Sequence, residues 1–336
     1  MNKYKIIQII CWVIVFLVFL GIALWFLLGN NKRFANVFGL EFLNGPYEKE
    51  GSYSIASADV ESIDIDWTAG RVTVTPYEGN EIQVVEYAQR SLEEDEKLVY
   101  STSEGTLQIS YCEKNENWFR NLPSKKLEVL LPRKLASDLD KFILNCVSAE
   151  ADIQMITSSY LRVKTVSGEG YLTEINGNEA EINSTSGSLK LGGVHIPNLN
   201  LKTVSGEIIV DGLDTEDVRA KSTSGSIRFS KVATSLLQFE TVSGDIGFQG
   251  SYKELISNST SGSVSVTNQT VPTSFHIKTV SGEVDLTMPS FDNFRLYKKT
   301  VSGSFDCDIP VTTQSDSNGD YTIKTTSGDI DIQELH

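Results

Sequence analysis

The chain has 336 residues, and its 44 acidic against 29 basic side chains give a formal net charge of −15. This balance argues against a nucleic-acid-binding protein, because phosphate contacts need clustered lysine and arginine. The cysteines are widely spread and form no CxxC pair, which excludes a zinc ribbon and argues against a disulfide-stapled fold. They are Cys11, Cys112, Cys146 and Cys307.

Residues 1–29 are predicted to form a transmembrane anchor. Residues 6–28 are apolar apart from Gln8 and small residues, and as a helix rising ~1.5 Å per residue they cover ~35 Å. That length crosses a hydrocarbon core of ~30 Å, and Trp12 and Trp25 suit its two interfaces. The segment lacks the short apolar core and the cleavage site of a signal peptide, so we expect it to stay uncleaved.

The anchor predicts a single-pass protein of the cell membrane, with residues 30–56 as a stalk. Lys3 and Lys5 lie before the anchor and Lys32 and Arg33 after it, so the positive-inside rule nearly balances. The rest of the chain is rich in serine and threonine and poor in cysteine, which favours an extracytoplasmic position. A domain that faces the cytoplasm is the alternative.

The C-terminal part repeats a Ser-Gly pair that first occurs in the segment KTVSGE, residues 164–169. The steps between successive glycines of these pairs are 19, 19, 19, 19, 18, 20, 21 and 25 residues. A period this constant indicates one structural unit stacked many times. The glycines are Gly168, Gly187, Gly206, Gly225, Gly244, Gly262, Gly282, Gly303 and Gly328.

The residues around each glycine alternate between apolar and polar. Counted from the glycine as position zero, positions −7, −5, +2 and +4 are mostly apolar and the positions between them mostly polar. This period of two predicts two strands per repeat, each with one face inward. Stacked repeats of this kind predict an all-β fold, a β-solenoid with about 19 residues per coil and ~4.8 Å between coils.

The regular repeats are predicted to occupy residues 136–336, after irregular N-terminal capping coils at 57–135. The same template matches the segments 63–74 around Gly70, 98–109 around Gly105, and 142–153, where Ala149 replaces the glycine. Chain length divided by the period predicts roughly twelve coils, a stack of ~55 Å.

The final repeat ends at His336, and the sequence predicts that nothing covers it. An uncovered edge strand invites pairing with another chain. The charges of Asp329, Asp331 and Glu334 are interpreted as protection against such pairing. Oligomerisation through this open C-terminal coil is the alternative.

The Ser-Gly-acid-or-serine-apolar-x-apolar repeat, together with the opening segments 63–65 (IDI) and 70–74 (GRVTV), resembles a bacterial family. That family is the putative-adhesin β-strand-repeat family, a domain of unknown function in Gram-positive envelope proteins, and the resemblance covers about residues 57–336. It implies a right-handed parallel β-solenoid on the cell envelope and a link to envelope-stress signalling. It offers no catalytic residues.

Three polar columns are candidate sites. At +1, acids alternate with serines, which predicts a solvated face whose carboxylates avoid repulsion by skipping a coil. A calcium site near Glu283 and Asp285 is the alternative there. Position −3 is always threonine or serine and position −1 always serine, which predicts internal hydroxyl ladders that hydrogen-bond one another. Outward ladders that bind glycan or ice are the alternative.

The sequence predicts a protein that is not an enzyme, with no catalytic, cofactor-binding or metal-binding residues and no cofactor. His195, His276 and His336 are its only histidines, and none stands beside a nucleophile and an acid in a recognisable order.

The leading hypothesis is a non-catalytic, adhesin-like or scaffolding module that binds a cell-wall polymer or an envelope protein. Its function is expected chiefly in the +1, +3 and −4 columns and in the less regular C-terminal coils. A cytoplasm-facing polymerising scaffold is the second hypothesis, and a polysaccharide-active β-solenoid enzyme is the third.

Overall fold

The computed structural model describes residues 46–113, 123–292, 294–313 and 320–335. The predicted anchor lies outside these residues, and the described part contains no helix long and apolar enough to cross a membrane. The chain divides into two compact units. Tyr47–Glu113 with Ser124–His336 form one, and the other contributes only Pro46 and Pro123 to the described residues.

The described residues form β-strands joined by turns and loops, as predicted, with one short helix, α1 (Arg133–Ala136), and a 3-10 turn at Glu94–Glu96. The first strands are β1 (Glu48–Ala56), β2 (Ser62–Tyr77), β3 (Glu81–Ala88), β4 (Val99–Ser103), β5 (Thr106–Ser110), β6 (Lys125–Pro132), β7 (Leu139–Gln154) and β8 (Thr157–Thr165). The central strands are β9 (Gly170–Ser184), β10 (Leu189–His195), β11 (Asn198–Lys202), β12 (Ile208–Lys221), β13 (Ile227–Glu240) and β14 (Ile246–Asn258). The last strands are β15 (Val264–Asn268), β16 (Ser274–Lys278), β17 (Val284–Met288), β18 (Arg295–Lys299), β19 (Phe305–Cys307), β20 (Thr312–Thr313), β21 (Tyr321–Lys324) and β22 (Ile330–Glu334).

From β9 to β14 the repeats pair in parallel, and equivalent residues of successive repeats lie opposite one another except at a register shift between Ser230 and Val232. Leu189 of β10 is opposite Ile208 of β12, which is opposite Ile227 of β13, which is opposite Ile246 of β14. Each of these steps is one repeat period, so the chain winds as a parallel β-solenoid. The hand of the coil stays a prediction.

The predicted apolar columns form the core. Position +2 is buried from Leu189 through Val284, and position −7 from Leu161 through Leu296. Aromatic rings pack edge to face in this core, as in Phe229 and Phe239 of β13, whose centroids lie 5.1 Å apart. Each large apolar side chain removed from water contributes about 1.5–3 kcal/mol, so every added coil stabilises its neighbours.

The order of layers at the N-terminal end differs from the order in the sequence. β2 lies between β7 on one side and β5 and β6 on the other, so Ile63 is opposite both Phe142 and Leu107. The strands β5 and β6, which follow β2 in the sequence, therefore form the layer outside it. β3 then pairs antiparallel with β6, and β1 pairs antiparallel with β3.

The prediction that residues 98–109 form a coil is wrong. They form an antiparallel hairpin of β4 and β5, with Ser103 opposite Thr106. Glu104 and Gly105 both have positive φ, 49° and 75°, which is the backbone of a two-residue hairpin turn. That turn reverses the chain, whereas a solenoid corner would carry it forward.

Part of the predicted stalk is folded. Within residues 30–56, β1 pairs along β3 from Glu48 opposite Ala88 to Ala56 opposite Glu81. Ile55 is buried by this pairing. The segment before residue 46 lies outside the described residues.

The prediction that the last repeat forms the open end of the solenoid is wrong. β21 pairs with both β16 and β18, and β22 pairs with both β17 and β19. The final repeat is therefore inserted between the two repeats that precede it, and the repeat of β18 and β19 is the terminal layer. β20 covers β18 at Arg295 and Leu296.

Packing explains this order, because the more apolar repeat takes the position covered on both sides. Ile323, Ile330 and Ile332 of the final repeat are buried, whereas Phe305 and Cys307 of the terminal layer are half-buried. Lys298, which stands in the −5 column, lies in the terminal layer, and its Nζ is 3.8 Å from the centroid of the Phe305 ring.

We expect the amide protons of β22 to exchange more slowly than those of β19, although β22 is the last strand in the sequence. The Ile330 N–H donates to the Ser304 carbonyl at 3.0 Å inside a strand paired on both sides, while β19 pairs, among the described strands, only with β22. Hydrogen-exchange mass spectrometry of the full chain measures this order. Faster exchange in β22 would contradict the inserted position.

Candidate functional site

Most −3 hydroxyls lie inside the coil, as predicted, but several of them bond to the backbone. Ser184 Oγ and Thr325 Oγ1 are buried without a hydrogen-bond partner among the described residues. Thr203 is 5% exposed, and its Oγ1 accepts a hydrogen bond from the Gly206 N–H at 3.0 Å. Ser222 and Gly225 repeat this contact at 2.8 Å, and Thr241 and Gly244 at 3.0 Å. The hydroxyl therefore satisfies the glycine N–H of its own corner, and the prediction that the hydroxyls bond one another is wrong for these coils.

The −1 serines point outward, which contradicts the prediction of an internal ladder. Ser167, Ser205 and Ser243 are all exposed, next to the exposed −2 column of alternating valine and threonine. A corner residue directly before a buried glycine N–H lies on the solvent side of the turn. Only one of the two hydroxyl columns is therefore internal.

Replacing Thr203 by valine is expected to lower the free energy of unfolding by about 1–3 kcal/mol, because the buried Gly206 N–H loses its acceptor. Thr203→Ser keeps the acceptor and should cost less. The matched control is Thr223→Val at the exposed −2 position, which should stay within about 0.5 kcal/mol of the parent chain. Urea denaturation compares the three variants, and equal effects of Thr203→Val and Thr223→Val would contradict a corner role.

The +1 acids mostly bind the neighbouring coil. Asp245 Oδ1 accepts from the Ser263 N–H at 2.9 Å. Glu207 pairs with Arg228 at 3.1 Å, and Arg228 lies one coil further along and two positions on. These pairs are exposed, so each stabilises the fold by at most about 1 kcal/mol. The column is a solvated face with contacts between coils.

The insertion of the last repeat interrupts the alternation of acid and serine at +1. Val284 is opposite Ile330, so the preceding residues Glu283 and Asp329 lie in adjacent coils. Asp285 is opposite Asp331, and burial together with the charges of Glu283 and Asp331 raises the pKa of Asp285. The expectation that carboxylates always skip a coil is wrong at this end.

The arrangement of the described side chains in this acidic region does not indicate a metal centre. The described residues contain no group of three or more His, Cys, Asp or Glu side chains that could hold a metal ion. The calcium alternative near Glu283 and Asp285 therefore receives no support from the arrangement of these side chains.

Two like-charged columns end the solenoid. At −4, Lys278, Lys324 and Lys299 lie directly opposite one another in the last three layers, and we call them the basic triplet. At +3, Asp285, Asp331 and Asp306 do the same, and we call them the acidic triplet. The two triplets lie on different strands, on either side of the Ser-Gly corner.

Each coil turns a second time about half a coil after its Ser-Gly corner, and we call this turn the second corner. A groove of about 400 Å³ runs along the second corners. Its lining includes Gly193, Gly212, Lys231, Gly250 and Gln269, which lie on five successive coils over roughly 20 Å. The register shifts between Ser230 and Val232, so Gly250 lies opposite Val232. Gly193 and Gly212 have positive φ values of 62° and 79°, and Lys231 adopts the same conformation at 54°. Small residues at this corner open the groove, whose lining combines apolar surface with the polar side chains of Asp214, Lys231 and Gln269.

A buried ion pair in the N-terminal cap was not predicted from the sequence. Lys125 and Glu86 are both fully buried, with Lys125 Nζ 2.6 Å from Glu86 Oε1. Lys125 also donates to the carbonyls of Glu96, at 2.7 Å, and Tyr111. Burial lowers the pKa of Lys125, and the charge of Glu86 opposes that shift. Because every donor has an acceptor, the pair is structural.

The histidines form no catalytic constellation among the described residues. His195 and His276 are exposed and lie on β10 and β16, in coils several layers apart. His336 lies outside the described residues.

The inward columns, the buried corner hydroxyls and the end caps define a repeat-built all-β domain with extended polar surfaces. The chain belongs to the Toastrack DUF4097 family, whose model matches residues 60–251 and 248–333. DUF4097 is a domain of unknown function, in agreement with the family that the repeat motif resembles.

Several solved structures are similar to this chain. A protein described as a putative lipid binding protein from Parabacteroides distasonis ATCC 8503 is 15% identical, with a TM-score of 0.44 over 86% of this chain and 97% of its own. A putative adhesin from Parabacteroides merdae ATCC 43184 is 11% identical, with a TM-score of 0.43 over 87% and 98% of the two chains. A comparison with curated proteins finds no match.

Proposed function

We propose that this chain is a non-catalytic binding module of the cell envelope, anchored by residues 1–29 and extracytoplasmic, which docks an extended polymer. The groove along the second corner carries the proposal. It is open at the surface and crosses five successive coils, so it suits an extended ligand better than a compact molecule.

The lining supports a glycan as the polymer. Asp214, Lys231 and Gln269 place a carboxylate, an ammonium group and an amide along the groove, and glycine backbone lies between them. Such a surface offers both donors and acceptors to hydroxyl groups. The anchor would hold this groove at the membrane, where the wall polymers of a Gram-positive envelope lie. A right-handed coil and a role in envelope stress are part of the same proposal.

The test is co-sedimentation of the full chain with insoluble cell-wall polysaccharide, here peptidoglycan that retains its attached wall polymers. Ala233→Trp fills the groove from an exposed position, and Thr223→Trp places the same side chain on the first corner of the same coil. We expect Ala233→Trp to lose binding and Thr223→Trp to keep it. Equal binding by both variants would overturn the groove as the site.

Orientation is tested separately with a reporter fused after His336 that is active only in the cytoplasm. The proposal expects no activity from it. An active reporter would overturn the extracytoplasmic assignment and would favour the cytoplasm-facing scaffold.

A further inference from the structure

The basic and acidic triplets are outward-facing and have few partners of their own. Ile277 and Ile323, which precede two of the lysines, are buried, so the lysines point away from the core. Within the described part of the chain, none of the three lysines forms an ion pair. Lys324 Nζ lies 5.2 Å from the centroid of the Tyr297 ring.

The acidic triplet is equally uncompensated. Asp331 accepts a hydrogen bond from Gln333 at 3.0 Å, and Asp306 accepts one from the N–H of the next residue, Cys307, at 3.0 Å. No ion pair to these three aspartates is found among the described residues. Like charges directly opposite one another destabilise a sheet, so an external partner of opposite charge would relieve both faces.

In several other coils, charged residues of these columns form ion pairs with a neighbouring coil. In the same −4 column, Lys221 pairs with Glu240 at 2.5 Å. In the +3 column, Lys190 pairs with Glu169 at 3.0 Å and Arg228 with Glu207 at 3.1 Å. In the last three layers, by contrast, one column holds only lysines and the other only aspartates, with no ion pair to either among the described residues.

The two faces match each other in level and spacing. Both triplets occupy the same three layers and rise by ~4.8 Å per layer. Two copies side by side at equal height would therefore set one carboxylate against each lysine. This contact joins two different faces, so it can add further copies in a row.

We propose that copies of this chain associate side by side in the membrane, with the basic triplet of one copy against the acidic triplet of the next. The inference rests on the anchoring in the proposed function, since a common anchor places equivalent layers at the same height. Exposed ion pairs are individually weak. Confinement to the membrane raises the effective concentration, so association occurs there and not in dilute solution.

The experiment measures energy transfer between copies of the full chain in neutral phosphatidylcholine vesicles, with donor or acceptor fluorescent proteins fused after His336. For the parent chain we expect transfer above the level of randomly placed molecules, and its loss when salt rises from about 0.05 M to about 0.5 M, which screens exposed pairs.

Charge reversal gives the decisive comparison. The basic-reversed variant carries Lys278→Glu, Lys324→Glu and Lys299→Glu, and the acid-reversed variant carries Asp285→Lys, Asp331→Lys and Asp306→Lys. Each variant alone should fall to the random level, because its two faces carry the same sign. A mixture of the two, donor on one and acceptor on the other, should regain transfer. The control Lys164→Glu, Lys202→Glu and Lys221→Glu makes the same charge change in the same column and should keep transfer.

The possible outcomes separate this inference from the proposed function. Chains that fail to float with the vesicles would overturn the anchoring and, with it, this inference. Chains that float but show random transfer would overturn the association alone. If the basic-reversed variant keeps transfer but loses binding to immobilised polyphosphate, the lysines serve an anionic polymer and the association between copies is overturned.

Discussion

Replacing Lys125 by methionine is expected to lower the free energy of unfolding by about 3–5 kcal/mol, because the change leaves Glu86 charged and fully buried without its partner. Among the described residues, Glu86 would keep only the Leu98 N–H, which donates to its carboxylate at 3.1 Å. The carbonyls of Tyr111 and Glu96 would lose a donor at the same time. Urea denaturation measures the loss, and hydrogen exchange in β6 shows whether the cap opens first.

Two controls define this result. Arg71→Met breaks an exposed pair with Glu150, at 2.9 Å, and should cost at most about 1 kcal/mol. A double variant, Lys125→Met with Glu86→Leu, removes both charges and should recover most of the loss. If Lys125→Met costs no more than Arg71→Met, the buried pair does not hold the cap together.

Replacing Gly206 by alanine is expected to cost about 3 kcal/mol, at the upper end of what overpacking costs. The added Cβ would lie 2.1 Å from the carbonyl oxygen of Gly187 in the neighbouring coil. Both groups are held by the backbone, so neither can turn aside. The corner would have to open, and the contact with the preceding coil would weaken.

Gly247→Ala is the matched control, since its Cβ would meet nothing closer than 4.0 Å. There the loss of unfolded-chain freedom should stabilise the protein by about 0.4–1 kcal/mol. The two glycine variants are thus expected to shift the unfolding midpoint in opposite directions. A stabilising Gly206→Ala would contradict the close approach of neighbouring coils.

The repeat explains why so much of the fold could be predicted. Side chains alternate across a strand, so the inward columns can be read from spacing alone, and Leu189, Ile208 and Ile227 were assigned to the core correctly. The same alternation also places both residues of the buried ion pair, Lys125 and Glu86, at inward positions. Lys125 has the phase of Leu127 and Val129 in β6, and Glu86 has the phase of Val84 in β3. A charged residue at an inward position of each strand was therefore the sequence signal for a buried ion pair.

Two features of the corners could be determined only from the backbone conformation. The −3 and −1 hydroxyls have similar chemistry and lie two residues apart, yet Thr203 is buried and Ser205 exposed. The turn changes the period of alternation, so the strand rule no longer applies there. Glu104 and Gly105 likewise resembled a solenoid corner in sequence but form a hairpin turn.

The sequence by itself determined the class of fold, the length of the coil and the identity of the core columns, because these depend on contacts repeated at one fixed spacing. Only the tertiary structure decided the order of the layers at the two ends. β5 and β6 lie outside β2, and β22 lies inside β19, because the more apolar layer is stabilised by a neighbour on each side. That choice brings Lys278, Lys324 and Lys299 into one row, and no spacing along the chain predicts it.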